Sequence, residues 1–317
     1  MLFGEVVKLD RGFPLVRIES GEEYRCEHAT TLIKEGETRA VIGDHVKIAF
    51  PEGHDKVFIG EILPRTTSLI RKDPTEQAIP QILAANFDLV IIAQPLADIN
   101  IRRLEREMVL AHETRARVLV VFTKADLAEK ANNEQRLNEA IDLIATTPHV
   151  IISAHDSTSI EQVRTYIPAG ITAVLIGKSG VGKSSLINLL VGKEVQETAT
   201  VREGDGKGRH TTVSREIINI PHGGRVIDMP GVRGVGLWEA DTGIELTFAD
   251  IEDIAQNCKF RDCMHGAEPG CAVTKAVEKG QISQKRLDSY RSLKQEVEDM
   301  QMKREEAQRI KPRKKRS

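Results

Sequence analysis

The sequence predicts a multidomain α/β protein in three parts: an N-terminal β-barrel (residues 1–66), a mainly parallel sheet with helices on both faces (67–240) and a helical zinc-binding part (241–317). Three observations carry that prediction. The first part is a run of short β-branched segments. From about residue 82, apolar strands alternate with amphipathic helices. After about residue 240 the pattern is helical and encloses Cys258, Cys263 and Cys271 within fourteen residues.

The barrel rests on "GEVVKL", "PLVRIES", "EEYRCEH", "DHVKIAF" and "KVFIGEIL", which alternate in part and are separated by Gly12, Gly21, Gly43 and "PEGHD". Five strands in this space suit a small closed barrel, and the OB-fold fits first. Periodicity alone leaves an SH3-like barrel or a sandwich open. "LPRTTSLIRKDPTEQ", with two prolines, reads as a linker. Next come the strand "FDLVIIAQ", the helix "NIRRLEREMVLAHET", the strand "ARVLVVFTKAD", a helix, the strand "HVIISAHD", a helix and the strand "ITAVLIGKSG". Such alternation implies a parallel sheet, whose ligands sit at the carboxyl ends of the strands.

Composition narrows the classes. Of 317 residues 40% are hydrophobic and the net charge is −2, so the chain carries no strong overall field. No apolar run approaches the ~20 residues of a membrane span, and "MLFGEVVKLDRG" is not a signal peptide. Clustered cysteines point to metal rather than disulfides, with Cys26 an inert strand residue, and the expected setting is a reducing cytoplasm. Only the end, "KREEAQRIKPRKKRS", is strongly basic.

Gly177-Lys178-Ser179-Gly180-Val181-Gly182-Lys183-Ser184-Ser185 contains G-x-x-x-x-G-K-[ST] between an apolar strand and the helix "SLINLLVG". Its glycines let backbone N–H groups surround phosphates, and the helix N-terminus adds positive potential. Lys183 is expected on the β- and γ-phosphates and Ser184 on Mg²⁺. "VIDMPG" supplies Asp228 for Mg²⁺ and the Gly231 N–H for the γ-phosphate. Between them "GDGKGRHTTVSRE" is glycine-rich and polar, and Thr211 or Thr212 is the expected second hydroxyl on Mg²⁺.

Thr123-Lys124-Ala125-Asp126 ends a strand. The aspartate accepts two N–H bonds from guanine N1 and N2, a pair that adenine lacks. ATP therefore leaves the carboxylate half satisfied, at a cost of about several kcal/mol. The Lys124 stem would cover the base, and Ser153-Ala154, ending the next strand, would offer a backbone N–H to guanine O6. This base-reading segment precedes the phosphate loop, the reverse of an ordinary P-loop GTPase. Circular permutation explains the inversion, since a sheet needs its strands in place and not in chain order.

Cys258-x4-Cys263-x-His265-x5-Cys271 is a complete tetrahedral set for one structural Zn²⁺, with no open position for catalysis. Together with the permuted order, "GKSGVGKSS", "GRHTT", "DMPGVR", "GLW" and "CKFRDCMHGAEPGC" resemble the RsgA/YjeQ family over nearly the whole chain. The resemblance implies a bacterial, circularly permuted GTPase of late small-subunit maturation. It implies GTP hydrolysis to GDP stimulated by the small ribosomal subunit, and flanking domains that bind rRNA. The chain is read as a monomer. Two departures stand out: Thr123 where many GTPases have asparagine, which predicts a weaker side-chain tie to the phosphate loop, and methionine in "DMPG".

Val232 stands where many GTPases place a glutamine that orients water, so slow intrinsic turnover is expected and His210 is the candidate for that task. A solvent- or RNA-facing His210 is the alternative. Two other functions remain open on sequence: an ATP-using P-loop enzyme, separated by GTP against ATP affinity, and a scaffold that holds GTP without turnover.

Overall fold

We describe a computed structural model covering residues 1–10, 13–30, 32, 39–53, 55–73, 79–128, 130–194, 215–229, 236–266 and 268–310. The chain forms two compact units, one of residues 1–69, 82–100 and 116–234, the other of 70–81, 101–115 and 235–317.

In the first unit five strands make the barrel: β1 (Leu2–Asp10), β2 (Phe13–Ile18), β3 (Glu23–His28), β4 (His45–Ala49) and β5 (Val57–Ile62). They hydrogen-bond in the order β1-β2-β3-β5-β4, and β1 closes the ring on β4. The β3–β5 pair is parallel and the others antiparallel, which is OB-fold topology. Inward residues at alternate positions, Val16, Cys26, Val46, Ile48 and Ile59, fill the core. Burial pushes the Cys26 thiol up to about 12, so it is an unreactive core residue.

The stretch that reads as a linker contains a strand, β6 (Ser68–Lys72), paired with β7 (Pro80–Ala85). Its prolines flank the strand, and Leu69 and Arg71 alternate inward.

The first unit also holds the parallel strands β8 (Leu89–Pro95), β9 (Arg117–Thr123), β10 (His149–Ile151), β11 (Thr172–Ile176) and β13 (Arg225–Asp228), with β12 (Arg215–Asn219) antiparallel to β13. Runs such as Val90, Ile91 and Ile92 are fully buried at consecutive positions, so both faces of the sheet are covered. Helices are numbered along the chain, and α1 (Ile101–Glu113) belongs to the second unit. In the first, α2 (Lys130–Ile144) buries Ala140 and Ile144. One face of the sheet packs on α3 (Ser157–Thr165) and α4 (Lys183–Val191) through Ile160, Val163, Leu186 and Leu190. Barrel and parallel sheet are continuous, because β1 also pairs with β12.

The second unit contains α1 together with α5 (Asp241–Thr247), α6 (Ala249–Ala255), α7 (Ala272–Glu278) and α8 (Gln284–Ile310). Their core joins Val109, Phe248, Ile251, Val273, Leu287 and Tyr290. Charge is also built in. Arg286 makes two contacts to Asp250, one to the buried Glu105, one to the Thr247 carbonyl, and lies over the Phe248 ring at 4.7 Å. Such a buried acid is costly unless paired. Among the described residues no helix is long and apolar enough to cross a membrane.

Candidate guanine-nucleotide site and metal cluster

Three strand ends of the first unit deliver the phosphate and base loops. β11, buried throughout, runs into Gly177. Gly177 has φ +143, and a Cβ there would lie 2.6 Å from the Ala93 carbonyl oxygen, so this packing of loop on strand needs glycine. α4 starts at Lys183 behind Gly182, which adopts φ +101 and supplies no side-chain cap. The N–H groups of that first turn have no partner inside the helix and suit an anion. Lys183 Nζ donates to the carbonyl oxygens of Gly177 at 2.7 Å and Lys178 at 3.0 Å, within the curve of the loop. Lys178, Ser179, Gly180 and Ser185 are exposed at the surface, Ser184 half-buried, and Val181 buried beneath them.

β9 ends at Thr123, which is 2% exposed. Its hydroxyl lies 2.5 Å from the Val181 carbonyl oxygen and 3.3 Å from that of Gln94. Threonine does tie this strand end to the phosphate loop: its hydroxyl reaches the loop directly because Thr123 packs against Gly182, whose missing side chain leaves room. Lys124 turns to φ +59, and its Nζ donates to the Gly180 carbonyl at 2.7 Å. Ala125, Asp126 and Leu127 then form one 3₁₀ turn.

The next strand end closes on that turn. Ala125 N donates to Ile152 O at 3.1 Å and Ile152 N to Phe122 O at 2.8 Å. Ser153 Oγ donates to Asp126 Oδ1 at 3.3 Å and accepts from the His155 amide at 3.2 Å. Asp126 and Ala154 are exposed. So the structure brings together Thr123, Lys124, Ala125, Asp126 and Ser153 with the loop from Gly177 to Lys183, as the strand-end argument requires.

Asp228, at the end of β13, is 4% exposed. Burial is the main force pushing its carboxyl up to about 6, Lys183 opposes it, Glu216 reinforces it, and the Met229 amide opposes it. A buried, incompletely neutralised acid beside a lysine-bearing phosphate loop fits a divalent cation. His210, Thr211, Thr212 and Gly231 lie outside the described residues.

In the second unit Cys258, Cys263, His265 and Cys271 bring one ligand atom each to within 4.8 Å of one another. His265 Nδ1 is 3.6 Å from Cys258 Sγ and 3.5 Å from Cys271 Sγ, and the two sulfurs are 3.9 Å apart. A tetrahedron with Zn–S bonds of about 2.3 Å has edges of about 3.75 Å, so the cluster has the size of a zinc cage. Its loop is held by Glu268, which accepts from the Met264 and Gly266 amides at 2.9 and 2.7 Å. Cys271 Sγ caps α7 by accepting from Thr274 N. The His265 ring packs on Tyr290 of α8, 6.0 Å between centroids.

Two family models match the chain, one described as RsgA GTPase over residues 62–238 and one as 50S ribosome-binding GTPase over 172–306. A Streptomyces avermitilis protein named small ribosomal subunit biogenesis GTPase RsgA is 39% identical over 298 residues, 93% of this chain and 80% of its own. The chain belongs to the RsgA GTPase family. It is accordingly a GTP hydrolase. Another RsgA of the same printed name, from Methanosarcina acetivorans, is 40% identical over 259 residues, covering 81% of this chain and 69% of its own. Among solved structures the fold matches Thermotoga maritima YjeQ at a TM-score of 0.65 and 24% identity, covering 93% of this chain and 98% of that one. It also matches YloQ, described as a circularly permuted GTPase, at 0.63 and 25%, covering 99% and 97%. The inverted motif order is thus the permutation of the RsgA fold.

Beyond the motifs, the site uses residues that no pattern singled out. The Gln94 carbonyl of β8 accepts from the Thr123 hydroxyl, and the Ala93 carbonyl occupies the space that a side chain at position 177 would need. Their only sequence signal is that they end a buried strand.

Proposed function

We propose that this chain is a GTPase that binds the small ribosomal subunit through its rRNA and couples GTP hydrolysis to late maturation of the particle. One observation carries the nucleotide part: the base-reading turn is fastened to the phosphate loop at Thr123–Val181 and Lys124–Gly180, so one ligand can span both. The printed names of the relatives support the ribosomal part.

In this reading Asp126 accepts the guanine N1 and N2 protons, and Lys124 covers the base. The Ala154 N–H meets O6, and Gly177 to Ser185 cradle the phosphates. Lys183 neutralises charge that develops as the γ-phosphoryl leaves. Ser184 and Asp228, with Thr211 or Thr212, would hold Mg²⁺, which when bound supplies further charge neutralisation. Gly231 contacts the γ-phosphate and His210 orients water. The cysteine–histidine cage holds one Zn²⁺ and shapes the helical part for RNA, and the barrel is the second RNA-binding part. The functional partition is 1–66, 67–240 and 241–317, in a cytoplasmic monomer.

The test is GTP turnover with and without purified small subunits. Stimulation of the intrinsic rate by small subunits, and not by large subunits, supports the proposal. Equal rates in both conditions overturn it.

A further inference from the structure

The continuity of the barrel with the parallel sheet has a chemical consequence at the Mg²⁺ carboxylate. β13 is four residues long and carries Asp228 at its end. Its neighbour β12 sets Glu216 directly opposite Asp228. On the other side of β12 lies β1 of the barrel, with Lys8 opposite Glu216 and Leu9 opposite Arg215. The Lys8 ammonium is 2.9 Å from the Glu216 carboxylate. At the start of β13, Arg225 reaches Glu5 of the barrel at 2.5 Å and Thr172 of β11 at 2.8 Å. The start of β13 is therefore tied to one barrel side chain, and the β12 residue opposite Asp228 to another on the same barrel strand.

A local irregularity makes this possible. In a regular strand, residues 5 and 8 point to opposite faces. The β1–β2 register shifts between Val6 and Lys8, and Val6 and Val7 are both buried. Such a bulge re-aims the side chains after it. Glu5 and Lys8 then both reach the β12–β13 ribbon.

We propose that Glu5 and Lys8 of the barrel, with Arg225 and Glu216, are positioning residues for Asp228, so that the barrel is a working part of the Mg²⁺-dependent nucleotide site and not an appended module. By linkage, a ligand that displaces β1 changes the affinity for Mg²⁺-bound GTP, and that nucleotide changes the affinity of the barrel for its ligand by the same factor. The inference rests on the assignment of Asp228 to Mg²⁺.

The test is equilibrium binding of a fluorescent, non-hydrolysable GTP analogue to the full chain as Mg²⁺ is titrated, with Mg²⁺-free GDP binding and thermal unfolding measured alongside. The variants are Lys8→Met, Glu5→Gln, their combination, and the conservative Lys8→Arg, which keeps a cation on Glu216 and leaves the charge opposite Asp228 unchanged. Each ion pair is part-exposed, so its removal is modest in effect. The half-saturating Mg²⁺ concentration rises about two- to fivefold in each single variant and about five- to tenfold in the combination. Mg²⁺-free GDP affinity stays within about twofold, and Lys8→Arg keeps a Mg²⁺ requirement within about twofold of wild type. An unchanged Mg²⁺ requirement in the combined variant overturns the proposal. So does a parallel fall in Mg²⁺-free GDP affinity, which marks general loosening. Should the combination fail to fold, the contrast between Lys8→Met and Lys8→Arg decides alone: equal Mg²⁺ requirements in the two overturn the proposal. Asp228→Asn is the control: if it leaves the Mg²⁺ requirement unmoved, the assignment of Asp228 fails, and this inference with it.

Discussion

Replacing Asp228 by asparagine will stabilise the protein and disable it at once. The carboxyl is 4% exposed and is pushed from an ordinary 3.8 up to about 6, chiefly by burial. Between about pH 4 and pH 6 the folded chain therefore keeps a proton that the unfolded chain has released. Stability contributed by this group is present below about pH 4 and is lost as pH rises to about 6. A shift of about two units corresponds to at most about 3 kcal/mol, since one unit is about 1.4 kcal/mol. The amide of the Asp228→Asn variant carries no charge to bury, so the variant's stability does not fall in that window. Urea unfolding from pH 4 to 7.5, without nucleotide or Mg²⁺, reads the effect as the difference between the two profiles. The expected result is a variant more stable than wild type by about 1–3 kcal/mol at pH 7 and equal to it near pH 4. With Mg²⁺ and a GTP analogue the order reverses, because only wild type gains the stabilisation of the bound complex. Parallel profiles would mean that Asp228 carries no uncompensated buried charge, the opposite of the expected result.

Other expectations follow from the same geometry. Thr123→Val leaves the Val181 carbonyl without its hydroxyl partner and lowers stability by about 1–3 kcal/mol in urea unfolding, while Thr123→Ser retains most of it. Cys263→Ser reduces bound zinc, measured by elemental analysis, from one ion per chain toward none, and exposes the segment around α7 to limited proteolysis. His210→Ala keeps GTP affinity and loses small-subunit-stimulated turnover; undiminished stimulation removes His210 from the mechanism.

The loops were legible because phosphate, guanine and zinc each demand fixed residue types at fixed spacing. Gly177 and Gly182 could be read as glycines that a phosphate loop needs, and the structure gives them positive φ. The five barrel strands were legible through alternation. What alternation does not record is pairing between distant segments. The tie from Thr123 crosses 58 residues to Val181, and Lys8 crosses 208 to Glu216. α1 reads as one more sheet-flanking helix, yet its Glu105 and Arg106 find Arg286 and Glu296, 181 and 190 residues on. β6 was hidden for a local reason: two prolines beside a five-residue strand look like a linker until a partner strand is present.

In the proposed function the permuted strand ends build one pocket that reads guanine through Asp126. Nucleotide exchange between GTP and XTP in wild type and Asp126→Asn tests it most directly. Xanthine replaces the guanine N2 donor with a carbonyl, so an amide, with one donor and one acceptor, suits it where a carboxylate does not. Wild type is expected to bind GTP over XTP, and Asp126→Asn to invert the preference by about a hundredfold or more. An Asp126→Asn protein that still binds GTP as wild type does would contradict it.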